Sequence, residues 1–131
     1  RWINEFAVAE GKISWIHTCG KLKNIAKMEA YQRMKVNVVE SLSAPPTGDV
    51  DNLTETRADI GCRIATRGGI NVELFYGEDK EIIINRTHQV LDSVKGYKHM
   101  LGDTNSSYPP YPWRNIEAVI NVVKERGQFF E

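Results

Sequence analysis

The sequence predicts an α/β fold built on a parallel sheet. Three observations carry that prediction. Short β-branched runs alternate with amphipathic helical stretches, and the strand–helix unit recurs four times after an opening helix end. Each unit spans roughly 25–35 residues, enough for a crossover that returns the chain parallel to the previous strand. Glycine, proline and short polar clusters mark the boundaries. Two architectures satisfy the pattern: a small open doubly wound sheet, or part of a (β/α)8 barrel.

The first strand is expected in residues 12–19, an apolar run that ends at Gly20. A helix follows over 22–33, with Leu22, Ile25, Ala26 and Ala30 at helical spacing. Residues 36–42 form the second strand, broken by Ser43-Ala44-Pro45-Pro46-Thr47-Gly48. Asp49 or Asp51 can cap the next helix, which runs to about Asp59 before Gly61. The third strand is expected over 62–67, closed by Gly68-Gly69. A helix over 78–94 carries Ile83, Thr87, Val90, Leu91 and Val94 on one stripe, and Gly96 stops it. Residues 97–101 make a weaker fourth strand. The last helix covers 113–126, with Ile116, Val119, Ile120 and Val123 facing inward.

Composition narrows the function classes. The 131 residues are 41% hydrophobic and 26% charged, which suits one globular domain. Seventeen basic residues balance seventeen acidic ones, so the Lys/Arg excess of a nucleic-acid or polybasic membrane binder is missing. No apolar run reaches membrane-spanning length and no export signal is visible, so a cytoplasmic protein with reduced thiols is expected. Cys19 and Cys62 do not make a disulfide framework, although a single bridge between them stays open. The first strand–helix junction, Cys19-Gly20-Lys21-Leu22, lacks a Gly-x-Gly-x-x-Gly turn and so argues against a dinucleotide site.

In both architectures ligands bind at the carboxyl ends of the strands. The first end carries His17 and Cys19. Strand residues two apart share a face, so an imidazole and a thiol stand side by side, a pair suited to zinc or simply a packed histidine and a small buried hydrophobe. The second end carries Glu40 on the face of Val36 and Val38. A carboxylate there needs a partner, either a shared metal or an arginine. The third end offers Arg67, Gly68, Gly69 and Asn71, where Arg67 either holds a carboxylate or phosphate or belongs to an ordinary turn. The fourth end offers Asp103, Thr104, Asn105, Ser106 and Ser107, then Tyr108 and Tyr111. That polar density suits a site, and also the caps and turns those residues favour. His88 is expected on a polar helix face and His99 in the core or the barrel lumen. Cys62 opens a strand at its amino end, away from any site.

These motifs, in order, read Trp-Ile-His-Thr-Cys-Gly, Val-Asn-Val-Val-Glu, Pro-Pro-Thr-Gly-Asp-Val-Asp, Ile-Gly-Cys-Arg-Ile-Ala-Thr-Arg-Gly-Gly-Ile-Asn and Gly-Asp-Thr-Asn-Ser-Ser-Tyr-Pro-Pro-Tyr-Pro-Trp-Arg-Asn-Ile. From about residue 11 to 126 the chain resembles the C-terminal half of the uroporphyrinogen decarboxylase-like superfamily, which includes the cobalamin- and zinc-dependent methyltransferases. The resemblance implies the fifth to eighth strand–helix units of a TIM barrel. In the methyltransferase branch a His-x-Cys at this strand binds zinc, here His17 and Cys19, and cobalamin-independent methionine synthases add a glutamate at the next strand end, here Glu40. The zinc there holds a substrate thiol as thiolate, which accepts a methyl group from a corrinoid or other donor. Decarboxylases of the superfamily lack His-x-Cys-Gly at this strand and carry Gly-His-Gly in the last loop, which is absent here. The methyltransferases place a further Cys in that loop. Here Asp103 or Asn105 stands in its place as an oxygen donor, and Asp103 is alternatively an acid, base or substrate anchor. Substrate contacts are expected from Arg67, Asn71, Asn105 and Tyr108, with Asp103 as the catalytic candidate.

The resemblance therefore implies a zinc-dependent methyl transfer to a thiol. A porphyrinogen-type decarboxylase and a non-catalytic corrinoid- or tetrapyrrole-binding module are the alternatives. A small-molecule substrate and a corrinoid protein are the implied partners, with no nucleic acid and no membrane. A complete barrel needs about 250 residues. Residues 1–131 are thus expected to be one half-barrel domain without its preceding half, closed by that half or by a second copy in a homodimer.

Overall fold

A computed structural model describes residues 2–105 and 110–126. After a leading helix α1 (Trp2–Ala9), the chain forms β1 (Trp15–His17), two short helices α2 (Lys23–Lys27) and α3 (Ala30–Met34), and β2 (Val38–Ser41). Helix α4 (Leu53–Ile60), β3 (Ala65–Ile70), a 3-10 turn (Val72–Tyr76), α5 (Lys80–Ser93), β4 (His99–Asp103) and α6 (Trp113–Arg126) complete it. The four strands form one sheet in the order β1-β2-β3-β4, every neighbouring pair parallel.

That order is sequential, with no switch point among the described strands. A doubly wound sheet reverses direction at a switch point, and this one does not. Right-handed crossovers between strands taken in sequence place every crossover helix on the same face. The core accordingly lies on one side, where Leu22, Ala26, Val39, Leu53, Ile70, Ile83, Val90 and Val119 pack together. Helices α2, α4, α5 and α6 pack against one another in that order over it. The other face carries Trp15, His17, Glu40, Arg67 and Met100, and Trp15 and Met100 leave 48% and 43% of their surface open. A singly wound, all-parallel α/β sheet of this kind is compatible with half a barrel.

Several boundaries differ from expectation for physical reasons. The single helix expected over 22–33 breaks at Glu29, whose φ of 54° is left-handed. The break turns Tyr31 inward in place of Ala30, and its hydroxyl donates to Thr18 Oγ1 at 3.1 Å. Helix α4 is capped by Asn52, whose side chain accepts from the Glu55 N–H, and not by Asp49 or Asp51. Asp49 accepts instead from the N–H groups of Leu22 and Lys23, tying the loop after β2 to the start of α2. Strand β3 runs through Gly68 and Gly69 and is not closed by them. A Cβ on Gly68 would lie 2.1 Å from the Ser41 carbonyl oxygen, and one on Gly69 would lie 2.8 Å from Val90 Cγ1. Only glycine lets strand β2 and helix α5 approach that closely. Strand β4 is shifted to end at Asp103. In α6, Asn115, Val119 and Val122 face inward and Ile120 is exposed, because Asn115 Nδ2 donates to the carbonyls of Phe75 and Gly77 and sets the rotation of the helix. Cys19 and Cys62 are both free thiols. No helix among the described residues is long and apolar enough to cross a membrane.

Candidate functional site

Strand register builds the site. His17 pairs with Glu40, Glu40 with Arg67, and Arg67 with Met100, so these four form a row across the uncovered face. Residues of one row share a face of the sheet. Trp15 stands two residues before His17 on the same face, and Cys19 lies two beyond, just past the end of β1.

The row is joined into a chain of polar contacts. His17 Nε2 lies 2.6 Å from Cys19 Sγ. On the other edge of the ring, His17 Nδ1 lies 3.6 Å from Glu40 Oε1. Arg67 Nη1 donates to Glu40 Oε1 at 2.9 Å, and the Trp15 indole N–H donates to Glu40 Oε2. Arg67 Nη2 donates to Asp103 Oδ1 at 2.8 Å, and Nη1 also reaches the Asp103 carbonyl at 3.3 Å. Gly102 leaves room for this guanidinium: a Cβ there would lie 3.1 Å from it. Cys19 Sγ contacts Asn105 Oδ1 at 3.9 Å, linking the first strand end to the fourth. The Arg67 side chain is 31% exposed and its two carboxylates about as buried or more, so these pairs are better shielded than surface ion pairs. One guanidinium thus stands between two carboxylates in this row.

The expected site residues therefore divide. His17, Cys19, Glu40, Arg67, Asp103 and Asn105 come together at the carboxyl ends of the strands. Arg67 is engaged by Glu40 and Asp103 and is not an open anion hook. Asn71 does not reach this cluster. Its side chain accepts from the Ala44 N–H and donates to the Ala44 carbonyl and Thr47 Oγ1, clamping the loop around the cis Pro45-Pro46 bond. Tyr108, with Ser106 and Ser107, lies outside the described residues. Glu40 takes the arginine partner that the sequence left open, and it faces the opposite edge of the His17 ring from Cys19.

A zinc centre needs three or four converging donors. His17 Nε2 and Cys19 Sγ are the right types and converge, but among the described residues no group of three His, Cys, Asp or Glu is arranged to hold a metal ion. The described residues therefore supply two donors of the right type, His17 and Cys19, and fall short of the set that a zinc centre needs.

Trp15 is the participant that sequence reading missed. Its signal was the i−2 spacing from His17 and i−4 from Cys19, which places an indole on the same face. His88 Nδ1, on α5, accepts from Arg126 Nη1 at 2.7 Å and belongs to a clasp with Asp92 on the helix layer. His99 lies on the covered face beside Thr66, not in the row. A cavity of about 860 Å³ opens between α1 and the amino ends of β2 and β3, lined by Val8, Val36, Ile60, Cys62 and Ile64 among others. It sits at the opposite end of the strands from His17, and it contains none of the converging polar chemistry.

No protein-family model matches the chain, and no curated protein matches it.

Proposed function

We propose that the chain is four strand–helix units of a (β/α)8-barrel enzyme of the uroporphyrinogen decarboxylase-like kind, and that its strand-end face transfers a methyl group to a thiol. The observation that carries this reading is the meeting of an imidazole and a thiol at the carboxyl end of β1, with a carboxylate on the far side of the ring. His17 and Cys19 are the residues that would hold zinc. The metal, when bound, supplies the acidity that keeps a thiol ionised near neutral pH. The surrounding residues orient and balance charge. Trp15 and Arg67 fix Glu40, and Asp103 fixes Arg67. Trp15 and Met100 offer an apolar floor next to the polar row for the body of a small-molecule substrate.

In the reaction, the acceptor thiolate attacks the methyl carbon and a carbon–sulfur bond forms. The bond from carbon to the donor breaks, and its electron pair stays with the donor. The free edges of β1 and β4 are closed by four further units, from a second copy or from a longer chain.

The test incubates the protein with zinc, methylcobalamin and 2-mercaptoethanol and measures the methyl thioether by mass spectrometry. Product that depends on both His17 and Cys19 supports the reading. Thioether formation no faster than without protein overturns it.

A further inference from the structure

We infer that the chain has a second ligand site, at the opposite end of the sheet from His17. The cavity of about 860 Å³ beneath α1 takes a small apolar molecule that carries one negative charge. Its volume lies within the roughly 300–1,000 Å³ of cavities that bind small molecules. Much of its wall is apolar. Val36, Ile60 and Ile64, at the amino-end edge of the core, line it together with Val8 and Ala9 of α1.

The way α1 is attached keeps this space open. The helix buries none of its residues. Polar contacts hold it: Asn4 Nδ2 donates to the Met34 carbonyl at 2.8 Å, and Glu5 pairs with Lys35 at 2.9 Å. Its large apolar side chains, Trp2, Ile3 and Phe6, are exposed and do not line the cavity. Only the short Val8 and Ala9 give the helix an apolar surface there, and they leave room for a ligand.

Charge selects the ligand. Glu5, Lys35 and Arg63 are the charged residues that line the cavity, and the first two neutralise each other. Arg63 is exposed, and its guanidinium has no ion pair or hydrogen bond among the described residues. One uncompensated positive charge therefore stands beside an apolar wall. An anionic head such as a carboxylate or sulfonate pairs with the guanidinium, and the apolar body covers the core edge.

The two thiols make the test site-specific. Cys62 lines the cavity and Cys19 lies at the other end of the strands, and both are exposed. The chain is alkylated with iodoacetamide in the presence of anilinonaphthalene sulfonate, and the labelling of each cysteine is followed by mass spectrometry. The uncharged N-phenylnaphthylamine, the same ring system without the sulfonate, is the comparison. The sulfonate is expected to slow labelling of Cys62 several-fold at saturation, to leave Cys19 unchanged, and to bind more tightly than the uncharged amine. Arg63→Gln should weaken the sulfonate roughly fivefold and leave the amine unchanged. Ala9→Trp, at an exposed position, sets an indole into the cavity and should remove protection by both probes. Protection of neither thiol, of Cys19 alone, or of both equally overturns the inference, and so does a sulfonate affinity that Arg63→Gln leaves unchanged. The wild-type protection decides without any variant.

Discussion

His99 makes the stability of the fold depend on pH in a defined window. It opens β4, and its Nε2 lies 3.2 Å from the Gly68 carbonyl, which can only accept. Nε2 therefore carries the proton, and Nδ1 accepts from Thr66 Oγ1 at 2.7 Å. Burial pushes the His99 pKa down to about 4; the Gly68 carbonyl opposes that shift and the nearby Arg57 adds to it. An unfolded histidine titrates near 6.5. Between those two values the unfolded chain binds the proton that the folded chain refuses, so stability rises with pH there. His99's contribution is fully present above about pH 6.5 and is lost as pH falls towards 4. The full interval is worth about 3 kcal/mol, of which about 2 kcal/mol is gone by pH 5. Urea denaturation of wild type and His99→Gln at pH 7 and pH 5 measures it. The variant starts less stable at pH 7, because it breaks the Thr66 and Gly68 contacts, but it should lose about 2 kcal/mol less on acidification. Equal losses in the two proteins, or a His99 proton that titrates near 6.5 by NMR, would refute the reasoning.

Three further outcomes follow from the same packing. Arg57 is wholly buried and stacks 4.8 Å over Tyr97, with Nη2 on the Ile64 carbonyl and with Nε and Nη1 lacking hydrogen-bond partners among the described residues. Burial pushes its pKa down, and two unpaired buried donors at about 1–3 kcal/mol each offset the stacking and the one bond. Arg57→Met is therefore expected to change stability by less than about 1 kcal/mol in urea, and a loss above about 3 kcal/mol contradicts that balance. Gly68→Ala drives a Cβ into the Ser41 carbonyl at a φ of 128°, which should cost at least about 2 kcal/mol in the same assay; wild-type stability would mean that β2 and β3 are not so closely paired. Light scattering at micromolar concentration should give twice the chain mass if a second copy closes the sheet, and a stable monomer removes that mode of closure.

The repeating plan was legible in the sequence because it rests on hydrophobic period and spacing, which local chemistry sets. The strand-end cluster was legible for the same reason: a parallel sheet taken in sequence brings successive strand ends together, so His17, Cys19, Glu40, Arg67 and Asp103 had to be neighbours. What was not legible depended on long-range contacts. Gly68-Gly69 reads as a turn until β2 and α5 are seen pressed against it. Asn71 reads as a ligand contact until the Ala44 backbone and the Thr47 hydroxyl take its amide. Glu40 is the sharpest case. Its position on the row was readable, but the edge of the His17 ring it meets was not, because that is set by the rotamers that Trp15 and Arg67 impose.

The most direct test of the account is the metal content of the His17–Cys19 pair. The protein is loaded with zinc, freed of excess metal by gel filtration and measured by elemental analysis. The account predicts stoichiometric zinc in wild type and none in His17→Ala or Cys19→Ser. Metal-free wild type, or zinc retained when both residues are replaced, contradicts it.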